Sequence, residues 1–394
     1  MLQDRSENYF LSQPHQPFFL AGVVWAIVTI LLFMLSYKTV LSPLIAINEF
    51  HSYSLIFIVF TQFFVGFLFT TFPRFCQSEV IDKGFYIKLF FILQTGALLF
   101  IVGSFLHVSL VYSGSILLFL SNIMIVFTLY RIYATGFLSD NNSDPFWILS
   151  GFVFSLISHL AFITALFSGS ETALHIAMEI GIYQYLIFVA FAVGQRMIPF
   201  FSHIMVEKIP HFSATVFTLL LLKSIFSFTP FFYLEILNDF ILAAYMLREF
   251  LRWKMPLFSS PSILWVLHVS LFWLPVGILI GALSTIASHL GGGDFVAMQI
   301  HLVVIGFLTT VLIGFGTRVT LGHSGQPPHA DKLATNIFYS VQILVVIRAL
   351  YSLQSGLELN LSWLFDISAS LWIVLFCIWA WRYGPVLYSG KKLT

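Results

Sequence analysis

Three histidines of this 394-residue chain, His51, His175 and His301, each open an apolar run of membrane-spanning length. An imidazole has little reason to sit at the mouth of an apolar helix unless a carbonyl, a water, a neighbouring side chain or a metal satisfies its nitrogens. Neutral imidazole ligates haem iron and copper, and facing helices of a bundle are a natural place to build such a site. The chemistry implied is metal or cofactor chemistry inside a membrane. The plainer reading of each residue alone is an interfacial histidine wetted by headgroups.

The third run, HLVVIGFLTTVLIGFGTRVTLGHSGQP from His301 to Pro327, also ends in a histidine, His323, in a polar turn flanked by glycines. Its helical part, from 301 to about 318, rises roughly 25 Å at 1.5 Å per residue. His301 and His323 therefore cannot ligate one metal, and any site uses an outer set or an inner set. His175 heads a polar stripe, with Glu179 one turn below it and Tyr183 one turn below that. The stripe is either a seam satisfied by a neighbouring helix or, functionally, a proton path or a carboxylate that orients a ligand histidine. Lys223 and Asp239 are possible charge partners for it. His159 and His268, deeper in their spans, are secondary ligand candidates. Gly306, Gly314 and Gly316 would let a macrocycle approach closely but serve plain helix packing equally well.

The elements that position these residues follow from composition. The chain is 59% apolar and 18% aromatic, with only 9% charged residues, against about 25% in a soluble domain. It is read as an all-α, polytopic membrane bundle, 1–394 forming one integral domain with no nucleic-acid-binding character. Runs close to the roughly 20 residues a span needs lie at about 17–37, 50–72, 85–106, 110–131, 146–168, 173–195, 212–231, 232–250, 261–286, 296–316, 333–351 and 363–383, about twelve helices. The 212–250 pair is divided only by the turn signal around Tyr233, Glu235, Asn238 and Asp239, and one re-entrant or kinked element there would lower the count. The first run lacks a basic leader and reads as a retained span.

Of the 18 lysines and arginines, all but Lys38, Lys223 and Arg348 fall on the side of the N-terminus, Arg5 included. The positive-inside rule then places both termini in the cytoplasm, and the even helix count agrees. His51, His175 and His301 share one depth near the outer face, with His107 and His289 nearby. His203, His211, His323 and His329 belong to the inner loops. Cys76 and Cys377 fall toward the cytoplasm with no CxxC or CxxCH, so neither a disulfide nor a covalently attached haem is expected.

Several segments resemble the NnrS family. GTRVTLGHSGQP at 316–327 resembles that family's TRVALGHTGRP, also preceded by a histidine at the start of the span. GQRMIPFFS at 194–202 is similar to GRVIPMFT, HQPFFL at 15–20 to FRPFFL, GFLFTTFP at 66–73 to GFLLTAVP, and ALHIAME at 173–179 to an ALHL-type helix start. The matches run in order over most of the chain. The resemblance implies a haem-containing (b-type) and copper-containing inner-membrane protein of nitric oxide metabolism or nitrosative-stress tolerance. The implied partners are nitric oxide or a related small molecule, membrane lipids and an unspecified electron donor. Where the family reads WHAHEM, this chain reads FHSYSL at 50–55, so Tyr53 and Ser54 replace a second histidine and an acid, as in a divergent member.

On this reading His51, His175 and His301 bind the cofactor, and His51, His175, His301 and His323 are the metal-ligand candidates. Glu179, Tyr183, Arg196 and Arg318 are second-shell or proton-path residues. Arg196 and Arg318 either clamp the inner turn or hold an anionic group by forked hydrogen bonds. Whether the protein is an enzyme is left open. The other function classes are a secondary transporter, which shares the twelve-span layout, and a haem sensor or delivery protein without turnover. A haem–copper oxidase subunit is disfavoured because His301 stands alone rather than in His-x-His.

Overall fold

The structure, a computed structural model, describes residues 8–137, 143–205, 207–257 and 260–393, so Arg5 lies outside the described residues. Those residues form helices and no strand. The twelve helices are α1 (His15–Tyr37), α2 (Ile47–Phe75), α3 (Lys83–Leu106), α4 (Val108–Thr135), α5 (Asp144–Ser168), α6 (Glu171–Phe201), α7 (Phe212–Phe226), α8 (Phe232–Arg252), α9 (Ser262–His289), α10 (Met298–His323), α11 (Lys332–Gly356) and α12 (Trp363–Ser389). Ten are long and apolar enough to cross a membrane. The other two are α7, with 15 residues, and α8, which carries Glu235, Asp239, Arg248, Glu249 and Arg252. The 212–250 stretch is thus two helices. Phe10 packs on Tyr388 with ring centroids 5.5 Å apart, which puts the two ends of the bundle on one face.

Local chemistry sets the boundaries a few residues beyond the apolar runs. Asp82, Ser170 and Asp331 cap α3, α6 and α11 by accepting backbone N–H bonds from Phe85, Ala173 and Ala334, which satisfies donors a helix start leaves free. α5 ends at Gly169, whose φ of 67° suits a residue without Cβ.

Helices α2, α6 and α10 touch one another at the centre, and the remaining nine surround them. The central trio is 78–89% buried over its most apolar stretch, against 39–56% for the other spans. Apolar residues all round a helix are expected where every face is covered. The peripheral helices instead leave Phe91, Leu98, Phe127, Ile157 and Ile343 uncovered, as lipid-facing side chains would be. Each central helix opens into π turns just below its histidine, over Ser54–Phe60, Ile180–Ile187 and Leu302–Thr309. Thr61 and Thr309 fill two of these wide turns by donating to the carbonyls of Ile56 (2.8 Å) and Val304 (2.9 Å), five residues back. Such turns re-aim flanking side chains and gather at functional sites.

α3 and α4 meet at their glycines. A Cβ at Gly114 would stand 2.5 Å from the backbone nitrogen of Phe100, and one at Gly103 2.6 Å from that of Val111. Neither backbone can yield cheaply, so Gly114→Val should cost at least the roughly 1–3 kcal/mol of an overpacked core. Thermal unfolding of the purified protein in detergent checks this, and an unchanged midpoint would contradict the close packing.

Candidate functional site

His51 of α2 and His301 of α10 line one cavity of about 360 Å³ at the face away from the termini. Its walls are otherwise mostly apolar, with Ile30, Phe33, Leu55, Phe60, Ile182 and Trp372 among them, and among the described residues Arg348 of α11 is its only charged side chain. The His51 ring stacks on Phe33 at 4.0 Å. His301 Nδ1 lies 2.9 Å from the Ala297 carbonyl, and Arg348 Nη2 lies 3.1 and 3.2 Å from the two ring nitrogens. With Nδ1–H donating to the carbonyl, the tautomer leaves the Nε2 lone pair for a donor or a metal.

His175 does not reach this cavity. It packs against Phe228 at 4.4 Å, and its Nε2 is 4.0 Å from Glu179. Its stripe joins a buried ionic cluster instead. Lys223, 1% exposed, reaches Glu235 at 2.7 Å and Asp239 at 2.9 Å. These two acids stand one turn apart on one face of α8. Gln299 donates to Asp239 at 2.6 Å and accepts from the Tyr183 hydroxyl at 2.9 Å. The cluster therefore links the Tyr183 end of the stripe to α10, two residues before His301. Gln299 was not singled out from the sequence, and Glu235 only as part of a turn signal, because a polar residue near a span end is indistinguishable there from a wetted one.

At the terminal face the inner ends of the trio surround a second cavity, of about 910 Å³, lined by Arg74 of α2, Arg196 of α6, and Arg318 and His323 of α10. Arg196, Arg318 and His323 thus share one cavity. Arg196 is 3.1 Å and Lys208 3.2 Å from Asp144, at the start of α5. Burial holds Lys208, in the loop beyond α6, below the ordinary lysine range, opposed by the Asp144 charge. Arg318 lies 4.0 Å over the Phe201 ring. Beside His323 stands His15, 1% exposed, with ring centroids 4.7 Å apart. Its Nδ1 is buried without a hydrogen-bond partner among the described residues. Sequence reasoning read the HQPFFL segment only as a family match, and nothing in it announces that the first span begins against the end of the tenth.

Between the two cavities the trio is filled with Phe63, Phe64, Phe67, Val189, Val311 and Phe315 around a void of about 20 Å³. Its wholly apolar lining offers a water no hydrogen-bond partner. Of the secondary candidates, His159 Nε2 is 2.7 Å from the Tyr53 hydroxyl, its ring stacked on Phe57 at 3.9 Å. Tyr53, standing where the family pattern has a histidine, is thereby tied to α5. His268 Nε2 is 2.7 Å from the Ser202 hydroxyl. His107, on the face away from the termini, caps α4, with Nδ1 3.2 Å from the Ser109 backbone nitrogen, and His289 bonds its own helix at the Thr285 carbonyl. Among the described residues no group of three or more His, Cys, Asp or Glu gathers as a metal cage.

The fold and its histidine-bearing core define a multi-pass, all-helical membrane protein whose central helices carry a cavity at each end. The NnrS protein family model matches residues 9–391, and the chain belongs to that family. No curated protein matches it. Family membership points to a nitric-oxide-related membrane protein.

Proposed function

We propose that this protein binds a b-type haem in the outer cavity through His51 and His301 and protects against nitric oxide. The observation that carries the reading is the convergence of two imidazoles, from two of the three central helices, on one largely apolar cavity. Its size of about 360 Å³ falls in the range of small-molecule and cofactor sites. The donor set suits haem iron: His301 can hold the tautomer that frees Nε2, and Phe33 and Trp372 supply flat apolar wall. When bound, haem would supply an iron at which nitric oxide can coordinate once one of the two imidazoles gives way. The chain's own residues hold and shield that position. His301 is oriented by Ala297, His51 is braced by Phe33, and the phenylalanine plug below keeps water from passing between the faces.

The His15–His323 pair is the copper candidate, since imidazole is a donor copper accepts and the orphaned His15 nitrogen is the kind of atom a metal satisfies. We read the basic terminal face as cytoplasmic and the location as the inner membrane. Arg196 acts as a clamp, tying α6 to Asp144 of α5. The stripe from His175 through Glu179 and Tyr183 to the Lys223 cluster is a proton route on this reading, with the electron donor unspecified.

A strain lacking the gene should grow more slowly than its parent under a nitric oxide donor. The wild-type gene should restore growth, and a His301→Ala form that reaches the membrane should not. Equal sensitivity with and without the protein, together with uptake of a defined solute into proteoliposomes, would favour a transporter.

A further inference from the structure

We propose that Arg348 anchors a carboxylate of the cavity's ligand, which on the haem reading above is a propionate. The proposal rests on that reading and names the group that recognises the ligand's anionic end. Arg348 is 9% exposed. It donates to the Ser352 hydroxyl at 2.8 Å, lies 3.1–3.2 Å from the His301 ring nitrogens, and its guanidinium carbon is 4.8 Å from the Tyr351 ring centroid. All of these partners are neutral, and among the described residues no carboxylate pairs with it. The nearby acid Asp366 is already held by Lys38 at 2.8 Å. A buried cation is costly unless something anionic accompanies it. A plain tie between α10 and α11 would not require a permanent charge. A guanidinium offers five N–H donors in a planar fork that matches a carboxylate.

The cavity is also polarised along its depth. Asn48, Arg348, Tyr351 and Tyr37 stand at its outer end, the two tyrosine hydroxyls 2.9 Å apart, whereas Ile30, Phe60 and Leu344 lie deeper on the same helices. A ligand with an apolar body and an anionic end fits that gradient, its body inward and its carboxylate at Arg348.

The test uses full-length protein from haem-starved cells, titrated in detergent with haem and with haem dimethyl ester and followed by absorbance. Charge-assisted hydrogen bonds to Arg348 should make the free acid bind at least about tenfold tighter than the ester in the wild type. Arg348→Gln should abolish that preference and Arg348→Lys should keep part of it. Comparing the preference between the wild type and each variant cancels the ester's greater affinity for detergent. The haem-free Arg348→Gln protein should unfold no earlier than the wild type, since a lone buried charge has been removed. Earlier unfolding with equal weakening of both ligands would mean a structural tie and overturn the proposal. So would a preference retained in Arg348→Gln or absent from the wild type. Failure of the wild type to bind either compound would overturn the haem reading itself.

Discussion

Lys223→Met should destabilise the protein by about 3–5 kcal/mol, the cost of stripping one partner from a buried ion pair. Among the described residues Lys223 is the only cation reaching Asp239, whose side chain is 3% exposed, and it also neutralises Glu235. Without it the buried Asp239 carries an unpaired carboxylate one turn from the second acid, Glu235, which is strongly disfavoured. Asp239 would keep only the Gln299 amide among the contacts seen here. Thermal or denaturant unfolding of the purified protein reads the effect directly. Adding Asp239→Asn to Lys223→Met should recover part of the loss, because the uncompensated charge is then gone. A Lys223→Met protein as stable as the wild type would show that the cluster is solvated or paired otherwise.

His51→Ala and His301→Ala should each weaken haem binding at least about tenfold to a hundredfold, since loss even of an outer-shell partner costs that much at metal sites. The double variant should retain no haem through purification. His175→Ala should keep it, because His175 faces Phe228 and Glu179 rather than the cavity. Haem per protein, measured by the pyridine haemochrome assay, separates these cases. Loss of haem in His175→Ala alone would restore the sequence-based grouping of the three histidines and remove the distinction made here.

That grouping shows how far the residues could be read in advance. Depth along a helix follows from counting residues at 1.5 Å each, so the shared level of His51, His175 and His301 was legible. The direction each ring takes around its helix was not. Depth says nothing about rotation, and the π turns below the histidines change the local phase that a 3.6-residue period assumes. Helix number and order were legible because each apolar run is long and bounded by polar caps such as Asp82 and Asp331. The 212–250 stretch was ambiguous for a physical reason: Glu235 and Asp239 read as a turn signal between two apolar runs, whereas both belong to α8 and are paired there with Lys223.

What stayed hidden were contacts between distant segments. The contact of α2, α6 and α10 depends on tertiary packing, as do the approach of His15 to His323 and the position of Arg348 over the outer cavity. Arg348 entered the sequence argument only as an exception to the charge asymmetry. Its solitary place away from the basic face was a usable signal, since a lone cation there is costly without a partner to justify it.

The most direct test of the account is a redox difference spectrum, with haem quantitation, of the full-length protein purified from haem-replete cells. The account predicts a b-type spectrum in the wild type that shifts when nitric oxide is added to the reduced protein and is absent from the His51→Ala/His301→Ala variant. A folded wild-type protein with no haem absorbance, or one whose spectrum is unchanged in that variant, would contradict it.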